Sequence, residues 1–317
     1  MMRQYYFLAG LLMLLLPLSV VGQQDAQFTQ YMFNQLYYNP AFAGVDGVTK
    51  LTAVHRSQWL GYSPTVGGGG APTTQVVSMT TPIYKLNSGF GAYIVHDVLG
   101  PQNNDLAQVS YAYHMGIKDS KLSFGVRVGG YMQTINYGMY RPIDPIDPAI
   151  KTSGKDSQIR PDISAGVFFR KEKYYAGISF NHLVKSSFSF GTSARNALQN
   201  HMYLTGGYYY DVSFDVRLLF TTLIQSDFNS TSVNLGGIVY LKDKMWGGLS
   251  FRQSEAVSLL MGYSLLKDNA LKLGYSLDYV VKDQKAKTAT SHELVLTYEL
   301  PVNPAGKKII RTPRYRH

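Results

Sequence analysis

From about residue 48 almost to its end, this chain alternates apolar and polar residues with a period of two. Successive side chains on an extended strand point to opposite faces, so the pattern predicts strands with one apolar face each. Leu271, Leu273, Tyr275, Leu277, Tyr279 and Val281 form one such stripe, interleaved with Lys272, Gly274, Ser276 and Asp278. Val257, Leu259, Met261, Tyr263 and Leu265 form another, and His292, Leu294, Leu296, Tyr298 and Leu300 a third, set against Ser291, Glu293, Thr297 and Glu299. Further stripes run through Leu122/Phe124/Val126/Val128, Ile163/Ala165/Val167/Phe169, Tyr174/Ala176/Ile178/Phe180, Phe214/Val216/Leu218/Phe220 and Val233/Leu235/Gly237/Val239.

A soluble sandwich also alternates, but it turns a charged face to water. Here the second face is rich in Gly, Ser and Tyr with scattered charge, and Asp, Glu, Lys and Arg make up only 16% of the chain. That is the composition of a barrel interior. The fold class expected is therefore all-β, a transmembrane outer-membrane β-barrel of about fourteen antiparallel strands, an even number within the range of such barrels. The segments are 48–56, 73–81, 88–97, 105–115, 121–133, 161–170, 173–181, 201–211, 213–224, 231–241, 245–252, 256–267, 269–281 and 290–300. Short turns at 84–87, 118–121, 171–173, 242–244 and 267–269 alternate with longer connections at 57–72, 134–160, 183–200 and 282–289. Tight periplasmic turns and longer outer loops have this asymmetry, and an even strand count predicts both chain ends in the periplasm. Tyr208-Tyr209-Tyr210, Tyr174-Tyr175 and Trp246 lie beside short turns, where interfacial aromatic girdles occur.

Residues 1–22 read as a signal peptide: Arg3, an apolar run from Phe7 to Leu16, Pro17, then Val20-Val21-Gly22 before a cleavage point near Gln23. The run is shorter than the roughly 20 residues of a spanning helix. Cys is 0, which excludes disulfides, thiolate metal sites and a cysteine nucleophile. The barrel is expected over residues 48–300, preceded by a distinct segment at 23–47 and followed by a basic tail at 301–317.

A barrel of this size encloses more space than its own side chains fill, so the lumen is either wet or plugged. The segment 23–47 is polar and aromatic. Phe28, Tyr31, Met32, Gln35 and Leu36 fall near helical spacing, and Pro40 and Gly44 mark a turn before the first strand. A short periplasmic helix, a lumen plug and a packed strap are the readings it allows.

Asp25-Ala26-Gln27-Phe28-Thr29-Gln30-Tyr31-Met32-Phe33-Asn34, followed by Tyr38-Asn39-Pro40-Ala41-Phe42-Ala43-Gly44, resembles the opening signature of the PorP/SprF family. Arg56-Ser57-Gln58-Trp59 and Gly70-Ala71-Pro72-Thr73-Thr74 look like that family's next two landmarks. The resemblance implies an outer-membrane protein of the type IX secretion system, a machine of diderm bacteria often tied to gliding motility. It implies a role in exporting large adhesins with a C-terminal sorting domain, or holding them at the surface, and contact with periplasmic components of the machine. The residues it marks as a partner-binding signature are Phe28, Gln30, Tyr31, Asn34, Asn39, Pro40, Gly44, Arg56 and Trp59. Pro40 and Gly44 are equally explained by the chain turn. The chain departs from the family pattern by continuing past its last strand.

That tail carries Lys307, Lys308, Arg311, Arg314 and Arg316, half of the formal net charge of +10. An exported chain meets no nucleic acid, so acidic periplasmic proteins or lipid phosphates are the partners expected, beside a plainly solvated tail. No cofactor is implied. His55, His96, His114, His182, His201, His292 and His317 show no paired metal spacing. Asp144-Pro145-Ile146-Asp147-Pro148 lacks the glycine turn and ligand density of a calcium loop. Gly67-Gly68-Gly69-Gly70 has no following helix or lysine to make a phosphate cradle. His182 with Ser186-Ser187, and Ser291 with His292, are chance neighbours in a Ser-rich chain, so no enzyme is expected. The reading is a non-enzymatic outer-membrane barrel of the secretion and gliding apparatus, embedded in outer-membrane lipid. The alternative is a barrel transporting small hydrophobic molecules past an N-terminal hatch.

Overall fold

A computed structural model describes residues 25–63, 70–140, 153–190, 196–282 and 287–300. The signal segment, Gly67–Gly69, the Asp144–Pro148 run and the basic tail lie outside the described residues. The strands are β1 (Lys50–Ser57), β2 (Thr73–Ile83), β3 (Ser88–Leu99), β4 (Gln102–Ile117), β5 (Ser120–Asn136), β6 (Lys155–Arg170) and β7 (Tyr174–Asn181). The small hairpin β8 (Ser187–Phe188) and β9 (Asn196–Ala197) follows. Then come β10 (His201–Asp211), β11 (Val216–Ser226), β12 (Thr231–Leu241), β13 (Met245–Arg252), β14 (Ala256–Leu265), β15 (Leu271–Val280) and β16 (Thr290–Glu299).

Apart from the hairpin, the strands form one closed barrel of fourteen, each antiparallel to its neighbours. Closure is made by β1, whose Val54 faces Val76 of β2 on one side and Val295 of β16 on the other. β7 pairs directly with β10, so the hairpin sits outside the barrel order. Every barrel strand has a strand neighbour on both sides, which is what a sheet in hydrocarbon requires, and the 155–164 stretch of β6 is laddered to β5 alone. Among the described residues no helix is long and apolar enough to cross a membrane.

The alternation sorts as expected. Val77, Ile94 and Leu249 are 59%, 63% and 61% exposed, and Val126, Phe220 and Leu296 also face outward. Their strand neighbours Ser78, Gln108, Ser123, Ser164, Ser250 and Ser276 are buried toward the lumen. The polarity is inverted relative to a soluble domain, because the outer solvent is lipid. The aromatic girdle is corrected in part. Tyr174, Tyr208 and Tyr210 do face outward, but Tyr175 and Trp246 are buried in the interior. The neighbouring residues on a strand must face opposite ways, so only alternate members of an aromatic run can reach the interface.

β5 and β6 extend well past the expected bounds, and the connection between them shrinks to 137–154. Pairs such as Gln133 with Gln158 and Thr134 with Ser157 continue the ladder where the apolar stripe has ended. One end of the barrel has only tight connections, at 84–87, 118–119, 171–173, 212–215, 242–244 and 266–270. The other end carries the long ones at 58–72, 137–154, 182–200 and 281–289, but also tight ones at 100–101, 227–230 and 253–255. The strict alternation of short and long therefore does not hold.

Candidate functional site

The interior is filled by the chain itself. Residues 25–47 form three successive single turns, Tyr31–Phe33, Gln35–Tyr38 and Pro40–Phe42. The helical spacing in the sequence is broken at Asn34 and Asn39. Asn39 caps the last turn, its Oδ1 accepting the Ala41 N–H at 2.9 Å, and Pro40 begins that turn, where a missing N–H costs nothing. Turns this short do not persist alone in water. The barrel wall supplies their partners. Arg127 of β5 donates to the Leu36 and Tyr37 carbonyls at 3.0 and 2.9 Å. Asn39 Nδ2 donates to the carbonyls of Val167 and Ile178 at 3.0 and 3.2 Å, spanning β6 and β7.

The segment traverses the lumen lengthwise. Asp25 lies beside His182 and His201, at the long-loop ends of β7 and β10. Gly44 lies against Thr81 and Pro82, at the tight-turn end of β2. Residue 25 and residue 300 therefore lie at opposite ends of the barrel. An even strand count places Lys50 and Glu299 together, but the lumen segment adds one more crossing.

Two clusters of side chains fill the space. Toward the loop end, Phe28, Tyr31, Tyr37 and Tyr38 pack with Tyr93, Tyr131 and Tyr203 from the wall. Toward the turn end, Leu36, Ala41, Phe42 and Val45 pack with Phe168, Tyr175, Ile238 and Trp246. Wall glycines make room for the segment's backbone. A Cβ on Gly125 would lie 2.2 Å from the Ala41 nitrogen, and one on Gly89 2.1 Å from the Ala43 carbonyl oxygen. Gly44 itself adopts a φ of +72°, in the left-handed region that glycine occupies without a steric penalty.

A charged latch holds the segment near the loop end. Arg56 is 2% exposed and pairs with Asp278 of β15 at 2.7 Å and Glu293 of β16 at 3.1 Å. Glu293 also accepts the backbone N–H groups of Thr29 and Gln30, both at 2.8 Å. The Thr29 hydroxyl donates to Asp278 at 2.8 Å and accepts from Arg56 at 3.1 Å and Arg252 at 3.2 Å. Buried charges persist only when paired and hydrogen-bonded. Here the segment's own atoms complete the pairing.

A second cluster lies across the lumen at the same end. His182 Nε2 is 3.0 Å from Asp25 Oδ1, and its Nδ1 is 2.9 Å from Asp162 Oδ2. Burial opposes a charge on His182, but the flanking Asp25 and Asp162 outweigh it and push its pKa up to about 10. Burial likewise opposes ionisation of Asp25, yet His182 and His201 hold its carboxyl well below the usual range. His182 has a φ of +58°, unusual for a residue with a side chain. His182 and His201 are distant in a motif sense and adjacent in space, because β7 pairs with β10 with Asn181 opposite His201.

Of the predicted signature, Phe28, Gln30, Tyr31, Asn34, Asn39, Pro40, Gly44 and Arg56 are gathered and buried within the barrel. Trp59 stands apart, in the 58–72 connection, with Lys287 Nζ over its ring at 5.1 Å. Sequence reasoning passed over Asp278, Glu293, Arg127, Gly125, Gly89 and His201. Asp278 and Glu293 carried a signal, since both are charges on inward stripes two or three residues from the loop ends of their strands. The Ser–His coincidences do not pair. Ser186 Oγ donates to the Pro161 carbonyl, and His292 Nδ1 lies 2.7 Å from the Tyr275 hydroxyl.

Known proteins place the fold and the family. The toluene transporter TbuX of Ralstonia pickettii is similar at TM-score 0.51 and 11% identity, over 84% of this chain and 93% of that one. The monoaromatic hydrocarbon channel CymD is similar at TM-score 0.50 and 12% identity, over 89% and 95%. The deltaS2S3 mutant of the monoaromatic hydrocarbon channel TodX gives TM-score 0.51 and 11% identity, over 83% and 93%. At such identities the likeness shows an outer-membrane barrel fold and no more. No curated protein matches the sequence. The profile of the type IX secretion system membrane protein family PorP/SprF matches residues 20–298, nearly the whole chain. With a closed lipid-facing barrel, and with the signature segment threaded through its lumen, the chain belongs to the PorP/SprF family of type IX secretion system membrane proteins.

Proposed function

We propose that this chain is a non-enzymatic outer-membrane anchor of the type IX machinery, supporting the export or surface attachment of large adhesin-type cargo that carries a C-terminal sorting domain. The family match over residues 20–298 carries this reading. The filled lumen supports it, since a barrel packed end to end by residues 25–47 suits a fixed platform better than an open pore. In the proposed orientation the tight-turn end and the basic tail, with Lys307, Lys308, Arg311, Arg314 and Arg316, face periplasmic partners. The long connections and Trp59 face cargo outside, and Asp25 then lies toward the outer mouth.

The eight buried signature residues act in this reading by holding the segment in the lumen. A macromolecular partner reaches them only once the segment leaves. One observation favours a second reading: a segment seated in the lumen can also serve as the hatch of a hydrophobic-molecule transporter. A deletion strain separates the two. Loss of surface adhesins with normal uptake of hydrophobic compounds is the result expected, and the reverse result assigns transport.

A further inference from the structure

The Asp25, His182 and His201 cluster has the features of a metal site. Their candidate ligand atoms lie within 4.8 Å of one another. A zinc-class ion sits about 2.0–2.2 Å from nitrogen and oxygen ligands, which places those ligands a little over 3 Å apart. His182 Nε2 and Asp25 Oδ1 are 3.0 Å apart, and His201 Nδ1 and Asp25 Oδ2 are 3.3 Å apart.

Three further observations point to a ligand. His201 is 2% exposed, and neither of its ring nitrogens makes a hydrogen bond. A buried imidazole whose nitrogens make no hydrogen bond is costly, and Asp25 Oδ2, 3.3 Å from Nδ1, is the group its ring faces. His182 Nδ1 is already engaged by the buried carboxylate of Asp162, which leaves Nε2 facing Asp25 and His201. A carboxylate behind an imidazole is the usual support of a histidine ligand, because it sets the tautomer and ring orientation. Third, the His182 backbone is held in the left-handed region, and such strain concentrates at binding sites.

We propose that Asp25, His182 and His201 bind one divalent transition-metal ion of the zinc class, with Asp162 orienting His182 and with the Tyr203 hydroxyl, 2.5 Å from Asp25 Oδ2, bordering the remaining position. The ion ties the first described residue of the lumen segment to β10 and to the connection after β7. The site is independent of the secretion reading, since it uses only residues that close the loop end of the lumen.

The test uses the full-length chain purified in detergent, stripped with a chelator and titrated with Co²⁺. The expected result is one equivalent of Co²⁺ with the visible absorption of a low-coordinate nitrogen–oxygen site, displaced by Zn²⁺. His201→Ala abolishes that absorption while unboiled gel mobility shows the barrel still folded. Asp162→Asn keeps every ligand and weakens binding by about 10–100-fold, and it serves as the probe if His201→Ala fails to fold. Absence of Co²⁺ uptake by the unmodified chain overturns the proposal. So does one-equivalent binding that survives in a His182→Ala, His201→Ala double variant.

Discussion

The latch at Arg56 makes the sharpest prediction about the lumen segment. Arg56→Ala removes two ion pairs and one hydrogen bond, and it leaves Asp278 and Glu293 buried without their guanidinium. Breaking a buried pair from one side costs about 3–5 kcal/mol, most of it the uncompensated charge. Each 1.4 kcal/mol is about tenfold in an equilibrium constant, so 3–5 kcal/mol raises opening of the segment by roughly 10²-fold to a few thousand-fold. The effect falls on the segment rather than on the strand ladder, because Thr29 and Gln30 hold the same two carboxylates. The chain has no cysteine, so Leu36→Cys places a single reporter at a site 3% exposed. Its labelling by a bulky water-soluble maleimide follows the open fraction when reclosing is fast. Labelling should accelerate by about two orders of magnitude in the Arg56→Ala background, on the same energetic scale. Arg56→Lys should lie between, since lysine keeps the charge and loses the fork. Both variants should retain heat-shifted gel mobility. Labelling unchanged by Arg56→Ala in a folded barrel would refute the idea that this network retains the segment.

Gly125→Ala and Gly89→Ala add a methyl where the segment's backbone lies 2.1–2.2 Å away, so each should release the segment without disturbing its strand, read by the same cysteine reporter. Overpacking of this kind costs about 1–3 kcal/mol. Ile94→Arg puts a charge on the lipid face of β3 and should lower barrel stability by about 2–4 kcal/mol in denaturant titrations from vesicles. Leu86→Lys, on the exposed tight turn after β2, should leave the same titration unchanged. Asn39→Ala removes the bonds to Val167 and Ile178 and the cap on Ala41, and limited proteolysis should then cut within residues 34–44.

The period-two stripes were legible in the sequence because lipid and lumen impose opposite demands on successive side chains. Leu294 and Leu296 face out and Glu293 and Thr297 face in, for that reason alone. Strand number and closure followed from the same rule, and the opening signature carried the family. The limits of β5 and β6 were not legible. Past the hydrocarbon both faces of a ladder meet polar surroundings, and the alternation fades while hydrogen bonding continues. Trp246 was misplaced because periodicity assigns a face only relative to neighbours, and Met245 and Gly247-Gly248 beside it offer no polar–apolar contrast.

What the sequence determined by itself is the sheet, since which residues touch lipid is a local property repeated along every strand. What only the tertiary structure decided is the contents of the barrel. Residues 25–47 meet Arg127, Asp278, Glu293, His182 and His201 across separations of tens to hundreds of positions, and no local pattern encodes such pairings. Register brings the wall residues to one height, and burial then obliges each charge to find its counterpart on the threaded segment.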